Sequence, residues 1–146
     1  MKRCADFTRR AMLATLACVL MFAGAASGQD PRAAVVQKVA RDWLALADKL
    51  DAAATWTAAG LRFQQAITLA GWADGLRRER EPRGAIVQRA MIATSFGSSF
   101  PGLPEGGTYA LVRFRTSFAN QADGREDMTL EVGADYGWHV IGYVIR

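Results

Sequence analysis

The chain has 146 residues, 18 basic against 14 acidic, with two cysteines and one histidine. Four of the bases and one acid lie in residues 1–28, so the remainder carries 14 against 13 and is close to neutral. A near-neutral body excludes the basic footprint of a nucleic-acid binder, and one histidine excludes a histidine-pair metal site.

Residues 1–28 read as a cleavable export signal. Lys2, Arg3, Arg9 and Arg10 precede an uncharged run, AMLATLACVLMFAGAA, and the small residues Ala25, Ala26, Ser27 and Gly28 end it. The run is shorter than the roughly 20 residues of a bilayer span, and cleavage after Gly28 suits its small-residue exit. The rival reading is an uncleaved anchor. Lipid attachment at Cys18 is rejected, because Thr15 stands where a large aliphatic residue belongs and the apolar run continues past the cysteine. Cleavage removes both Cys4 and Cys18, so the mature part, residues 29–146, relies on an apolar core rather than a disulfide. That leaves a single domain, periplasmic or secreted, with no stable membrane span.

Asp30-Pro31 opens a first helix, on which Val36, Val39, Ala40, Trp43, Leu44, Ala47 and Leu50 recur at helical spacing. The alanine-rich stretch Asp51 to Gly60 suggests a short second helix bearing Trp56. Thr68 caps a third, with Leu69, Trp72, Ala73 and Leu76 on one face, ending in an arginine-rich turn before Pro82. After Gly84 the period drops to two. Strands are predicted over Ala85 to Phe96, Thr108 to Ala119, a third carrying Met128, Leu130 and Val132 inward, and Trp138 to Ile145. A Pro- and Gly-rich loop separates the first two, and Asn120 to Gly124 reads as hairpin loop. Helices followed by an antiparallel meander make an α+β fold, with two to three helices on one face of a four-stranded sheet. Matching apolar faces pairs Val112 with Val132, Arg113 with Glu131 and Ser117 with Asp127. It also pairs Val132 with Trp138 and Leu130 with Val140, which sets His139 opposite Glu131.

The stretches WLALADKLDAAATWTAAGLRFQQAIT, GWADGLRRERE, FPGLPEGGTYALVRFRTSFANQ and YGWHVIGYVIR together resemble the bacterial family called domain of unknown function 4019. The resemblance runs from about Val36 to Arg146. Its most specific parts are the Pro101-Gly102-x-Pro104 loop and the ending Gly137-Trp138-x-Val140-x-Gly142-Tyr143. It implies a small exported protein of uncharacterised activity, with a curved sheet like the cystatin-like or nuclear-transport-factor-2-like roll. That class holds enzymes, binding modules and inert domains, so it does not choose a function. The family lends no catalytic residue, and where it more often has arginine this chain has His139.

His139 reads either as a general base beside Glu131 or, more plainly, as an outward strand residue paired to that carboxylate. The carboxylates Asp123, Glu126, Asp127, Glu131 and Asp135 lack the spacing of a calcium loop. Ser95, Ser98, Ser99 and Ser117 sit in no nucleophile elbow, and no glycine-rich loop precedes a helix. No catalytic residue, cofactor or metal is assigned. Arg77, Arg83 and Arg89, with Arg78 and Arg80, form a candidate anion contact for a lipid headgroup or cell-wall polymer. On the last strand Trp138, Val140 and Val144 are expected to face the core. Ile141, Tyr143 and Ile145 then form an apolar row on the other side, a candidate interface for a homodimer or another partner unless Phe100 and Leu103 cover it. The leading expectation is a non-catalytic accessory or binding module. The alternative is a small-ligand or enzymatic pocket lined by Trp43, Trp56, Phe63, Trp72 and Phe114.

Overall fold

The computed structural model describes residues 30–146, and the stretch read as an export signal, with the two cysteines, lies outside the described residues. Four helices come first: α1 (Arg32–Asp48), α2 (Ala52–Ala58), α3 (Leu61–Ala66) and α4 (Leu69–Arg80), the last running into a 3-10 turn at Glu81–Arg83. Four strands follow, β1 (Ile86–Gly97), β2 (Tyr109–Phe118), β3 (Gln121–Val132) and β4 (Trp138–Ile145), paired antiparallel in chain order. The α+β class and the order of its elements are as the sequence predicts. One helix, α3, is additional. Its six residues are too few to show a helical period.

Local chemistry starts α1, α2 and α4. The Asp30 carboxylate accepts from the Arg32 backbone N–H at 2.9 Å, Asp51 from Ala54 at 2.9 Å, and the Thr68 hydroxyl from Gly71 at 3.2 Å. Val36, Ala40, Trp43, Leu44 and Ala47 form the buried stripe of α1, and Trp72, Leu76 and Arg80 continue one stripe along α4. Against them the sheet presents Ala110, Val112, Phe114, Met128, Leu130 and Val140, all buried. This interleaving is the core.

Three register features differ from expectation. Val112 pairs with Met128 and Arg113 with Asp127, so the β2–β3 ladder lies four residues from the Val112–Val132 pairing. An even displacement preserves faces, which is why the inward row is right although the pairs are not. The hairpin turns at Ala119-Asn120, and Gln121 already belongs to β3. Asn120 is held there by its backbone N–H to Arg83 O at 2.9 Å and its amide to Pro82 O at 3.1 Å. Asp123-Gly124 therefore lies within the strand, at a register shift. Gly124 fits there because a Cβ would stand 2.8 Å from the Phe118 ring and 2.9 Å from Thr116 O.

The third difference falls on β4. Val132–Trp138, Glu131–His139 and Leu130–Val140 pair as expected, but the register then shifts and Thr129 pairs with Gly142. Ile141 is the extra residue of a bulge, and beyond it the faces exchange. Tyr143 packs into the core and Val144 turns outward, 47% exposed. The outer side of this strand is reached from the loop by Phe100 and Leu103, which border a depression there with Ile141 and Val144. At the opposite rim the Gly60 N–H donates to Val140 O at 2.8 Å, fixing the α2–α3 junction along β4. Glycine suits that close approach, since a Cβ would crowd Ile141 Cγ2 at 3.0 Å. β1 carries register shifts of its own at Ile86/Gln88 and Met91/Ala93, leaving Val87 and Ile92 exposed.

Candidate functional site

Where the last turns of α1 and α4 meet the sheet, four charges close on one another. Asp48 ends α1 and Arg80 ends α4, while Arg89, Thr116, Glu126 and Tyr143 come one from each strand. Arg80 is inside because it occupies the next stripe position after Trp72 and Leu76. Glu126 is inside because it shares the two-residue alternation of Met128 and Leu130. Glu126 is 0% exposed and Arg80 4%.

Glu126 is the hub. Its Oε1 accepts from Arg80 Nη1 at 2.9 Å, from the Tyr143 hydroxyl at 2.6 Å and from Arg89 Nη2 at 3.1 Å. Its Oε2 accepts from Arg89 Nε at 2.6 Å and from the Thr116 hydroxyl. Arg89 also grips Asp48 through two bonds of 2.8 Å, and Arg80 Nη2 pairs with the same carboxylate. The remaining face of Arg80 lies over the Phe118 ring, 5.2 Å from its centroid. Two arginines and two carboxylates cancel, each arginine bonding both carboxylates.

The electrostatics follow from that closure. Burial pushes the Asp48 carboxyl up, but hydrogen bonds and charge from Arg89 and then Arg80 outweigh it and hold it below the usual range. Burial first, then the Glu126 charge, raises the Tyr143 hydroxyl far above an ordinary tyrosine. Arg89 loses by burial and gains more from Asp48 and Glu126, so its proton is held more firmly than in water. None of these groups is poised to exchange a proton near neutral pH. The arrangement is a clamp.

Around the clamp lies an aromatic cluster. Trp43 and Trp72 are 5.7 Å apart by ring centroid, Phe63 and Trp72 5.0 Å, and Trp43 and Tyr143 5.1 Å. The indole N–H groups are satisfied: Trp43 donates to Thr55 O at 2.9 Å, Trp72 to the Thr55 hydroxyl at 2.8 Å, and Trp56 to Ile67 O at 3.0 Å. Of the residues expected to line a pocket, Trp43, Phe63, Trp72 and Phe114 are buried in the core and Trp56 packs at its margin. They fill the space between helices and sheet. Trp72 and Tyr143 also border an apolar depression of about 310 Å³ between α4 and β4, with Leu76 and Ile145.

The other sequence candidates disperse. Arg77 pairs with Glu81 at 3.4 Å on the surface, Arg83 bonds Glu79 and Gln121, and Arg89 is committed inside the clamp. They do not converge. Ile141, Tyr143 and Ile145 do not form one outward row, because the bulge turns Tyr143 to the core and Ile145 toward α4. His139 reaches neither Glu131 nor Arg113. Its Nε2 meets both Asp135 oxygens at 2.9 and 3.0 Å, and Asp135 is held below the usual range by that bond and by the Gly137 N–H. Glu131 is taken by a two-bonded Arg62, at 2.9 and 3.1 Å. Among the described residues no group of three or more His, Cys, Asp or Glu side chains could hold a metal ion. No helix among them is long and apolar enough to cross a membrane.

A family model described as "Protein of unknown function (DUF4019)" matches residues 39–143, a span that includes Asp48, Arg80, Arg89, Thr116, Glu126 and Tyr143. No curated protein and no solved structure matches the chain.

Proposed function

This chain belongs to the DUF4019 family of proteins of unknown function, and on that premise we propose that it is an exported, non-catalytic accessory or binding module. The observation that carries the reading is the closed clamp. The most deeply buried ionisable groups, Glu126 and Arg80, are matched to each other and to Asp48, Arg89 and Tyr143, and the clamp groups that border a depression of about 400 Å³, Asp48 and Arg80, are already paired with one another. Glu126 accepts five hydrogen bonds, from Arg80, Arg89, Tyr143 and Thr116, which supports a structural rather than a catalytic role for it. Export is supported by the basic start, short apolar run and small-residue exit of residues 1–28.

Expression in a bacterial host followed by fractionation tests the address. A mature chain beginning at Gln29 in the periplasm or medium is expected, and an unprocessed chain in the cytoplasm overturns it. A second reading, a small-ligand binder, draws on the apolar depression beside Trp72 and Tyr143. Titration with an apolar dye, followed by tryptophan emission, is expected to perturb the spectrum under that reading and to leave it unchanged under the first.

A further inference from the structure

On the face of the sheet turned away from the helices, outward side chains stand in ranks. Arg113 opposes Asp127, with Val144 beyond it, and Arg115 opposes Arg125, with Arg146 beyond it. Like charges set directly across a ladder repel, so the rank of Arg115, Arg125 and Arg146 costs the fold stability. Arg115 has only Asp123 within ion-pair range, at 3.9 Å, and that carboxylate is almost fully exposed. The rank lines a shallow depression of about 280 Å³.

Asp127, 9% exposed, is the anomaly beside it. Its Oδ1 is buried and accepts no hydrogen bond, although Arg113 Nε stands at 3.5 Å from it and Arg146 Nη1 at 3.5 Å from Oδ2. A buried acceptor without a donor is a standing cost, which a ligand donor would remove. Asp127 borders a second depression, of about 310 Å³, that shares Arg146 with the first. Arg113, 44% exposed, stands beside Oδ1 without a hydrogen bond to it, and a ligand reaching that oxygen would draw the arginine onto itself.

We propose that this outer face binds a dicarboxylic α-amino acid, free or as the N-terminal residue of a peptide. The ammonium donates to Asp127 Oδ1, one carboxylate or carbonyl takes Arg113, and the side-chain carboxylate takes the Arg115–Arg125–Arg146 rank. Ranks two residues apart on a strand are about 7 Å apart at the backbone, and the long arginine side chains can lean inward to the shorter span between the ammonium and side-chain carboxylate of glutamate. The excess of arginines over Asp127 and Asp123 favours an acidic ligand, and the unpartnered acceptor requires that it also carry a donor. The assignment rests on the reading of the chain as a binding module and names its ligand class and surface.

Calorimetric titration of the purified protein at low ionic strength tests it, with four ligands: L-glutamate, a Glu-Ala dipeptide, N-acetylglutamate and γ-aminobutyrate. Saturable binding of glutamate or the dipeptide is expected, and whichever binds more tightly identifies the source. N-acetylglutamate lacks the ammonium and γ-aminobutyrate lacks the second carboxylate, so each is expected to bind at least about tenfold more weakly. Asp127→Asn and Arg125→Gln are expected to weaken glutamate or dipeptide binding by a similar factor. No saturable binding of either, or equal binding of N-acetylglutamate, overturns the proposal. The wild-type comparison across ligands does so even if Asp127→Asn fails to fold. A failed titration leaves export and the closed clamp to their own measurements.

Discussion

Removing one charge from a dry cluster leaves its partners without compensation. Glu126→Gln keeps the shape of the hub but leaves Arg80 and Arg89 facing Asp48 alone. Breaking such a pair from one side costs about 3–5 kcal/mol, and a loss of that size in chemical denaturation is expected. A loss under 1 kcal/mol would mean that the clamp contributes little. Tyr143 makes a separate prediction through pH. Its folded-state proton is held above the ordinary tyrosine value, so folding stability is complete below about pH 10 and falls as pH rises beyond it, where the unfolded tyrosine ionises first. Tyr143→Phe is expected to lose roughly 1.5–3 kcal/mol at neutral pH and to flatten that alkaline decline, measured as stability against pH. Asp48 acts at the other end. Its lowered value gives stability that is present above roughly pH 4 and is lost as pH falls through the folded-state value.

Elements are positioned by single residues where regular pairing stops. Gly124→Ala would drive a Cβ into the Phe118 ring and Thr116 O at the β2–β3 register shift, and a loss of about 1–3 kcal/mol by urea denaturation is expected. An unchanged midpoint would show that the hairpin relaxes around it. The inward rows Ala110, Val112 and Phe114, or Met128 and Leu130, are legible because alternation marks them. Extending the same alternation to Glu126, and the helical stripe of Trp72 and Leu76 to Arg80, would have located the clamp from sequence. Their charge hid them, since either residue alone belongs on the surface. The bulge at Ile141 is not legible. A two-residue period carries no mark of an extra residue, and the Gly60 N–H that meets the strand one residue before it comes from a distant helix junction.

At the scale of the molecule, the clamp ties both long helices to every strand. If either layer departs, the charges of the other lose their paired partners, so helices and sheet are expected to unfold together. Far-UV circular dichroism and tryptophan emission should then trace one coincident transition in the wild type. Separate midpoints would show that the layers are independent. The candidate outer face lies beyond this coupling, since its arginines and Asp127 touch neither helix layer nor clamp in the pairing described. Substitutions there are expected to change binding while leaving the unfolding midpoint within about 0.5 kcal/mol of wild type, apart from Asp127 itself.

The two borders of the sheet have a further consequence. Along β4 a backbone donor from the α2–α3 junction already occupies Val140 O, and along β1 the extra residues Val87 and Ile92 interrupt even spacing. In a chain that folds crowded among identical copies, a long uninterrupted border would recruit neighbours into a growing ladder. Neither border offers one. Refolding yield should therefore change little with protein concentration, and the chain can complete its sheet without lending it to another.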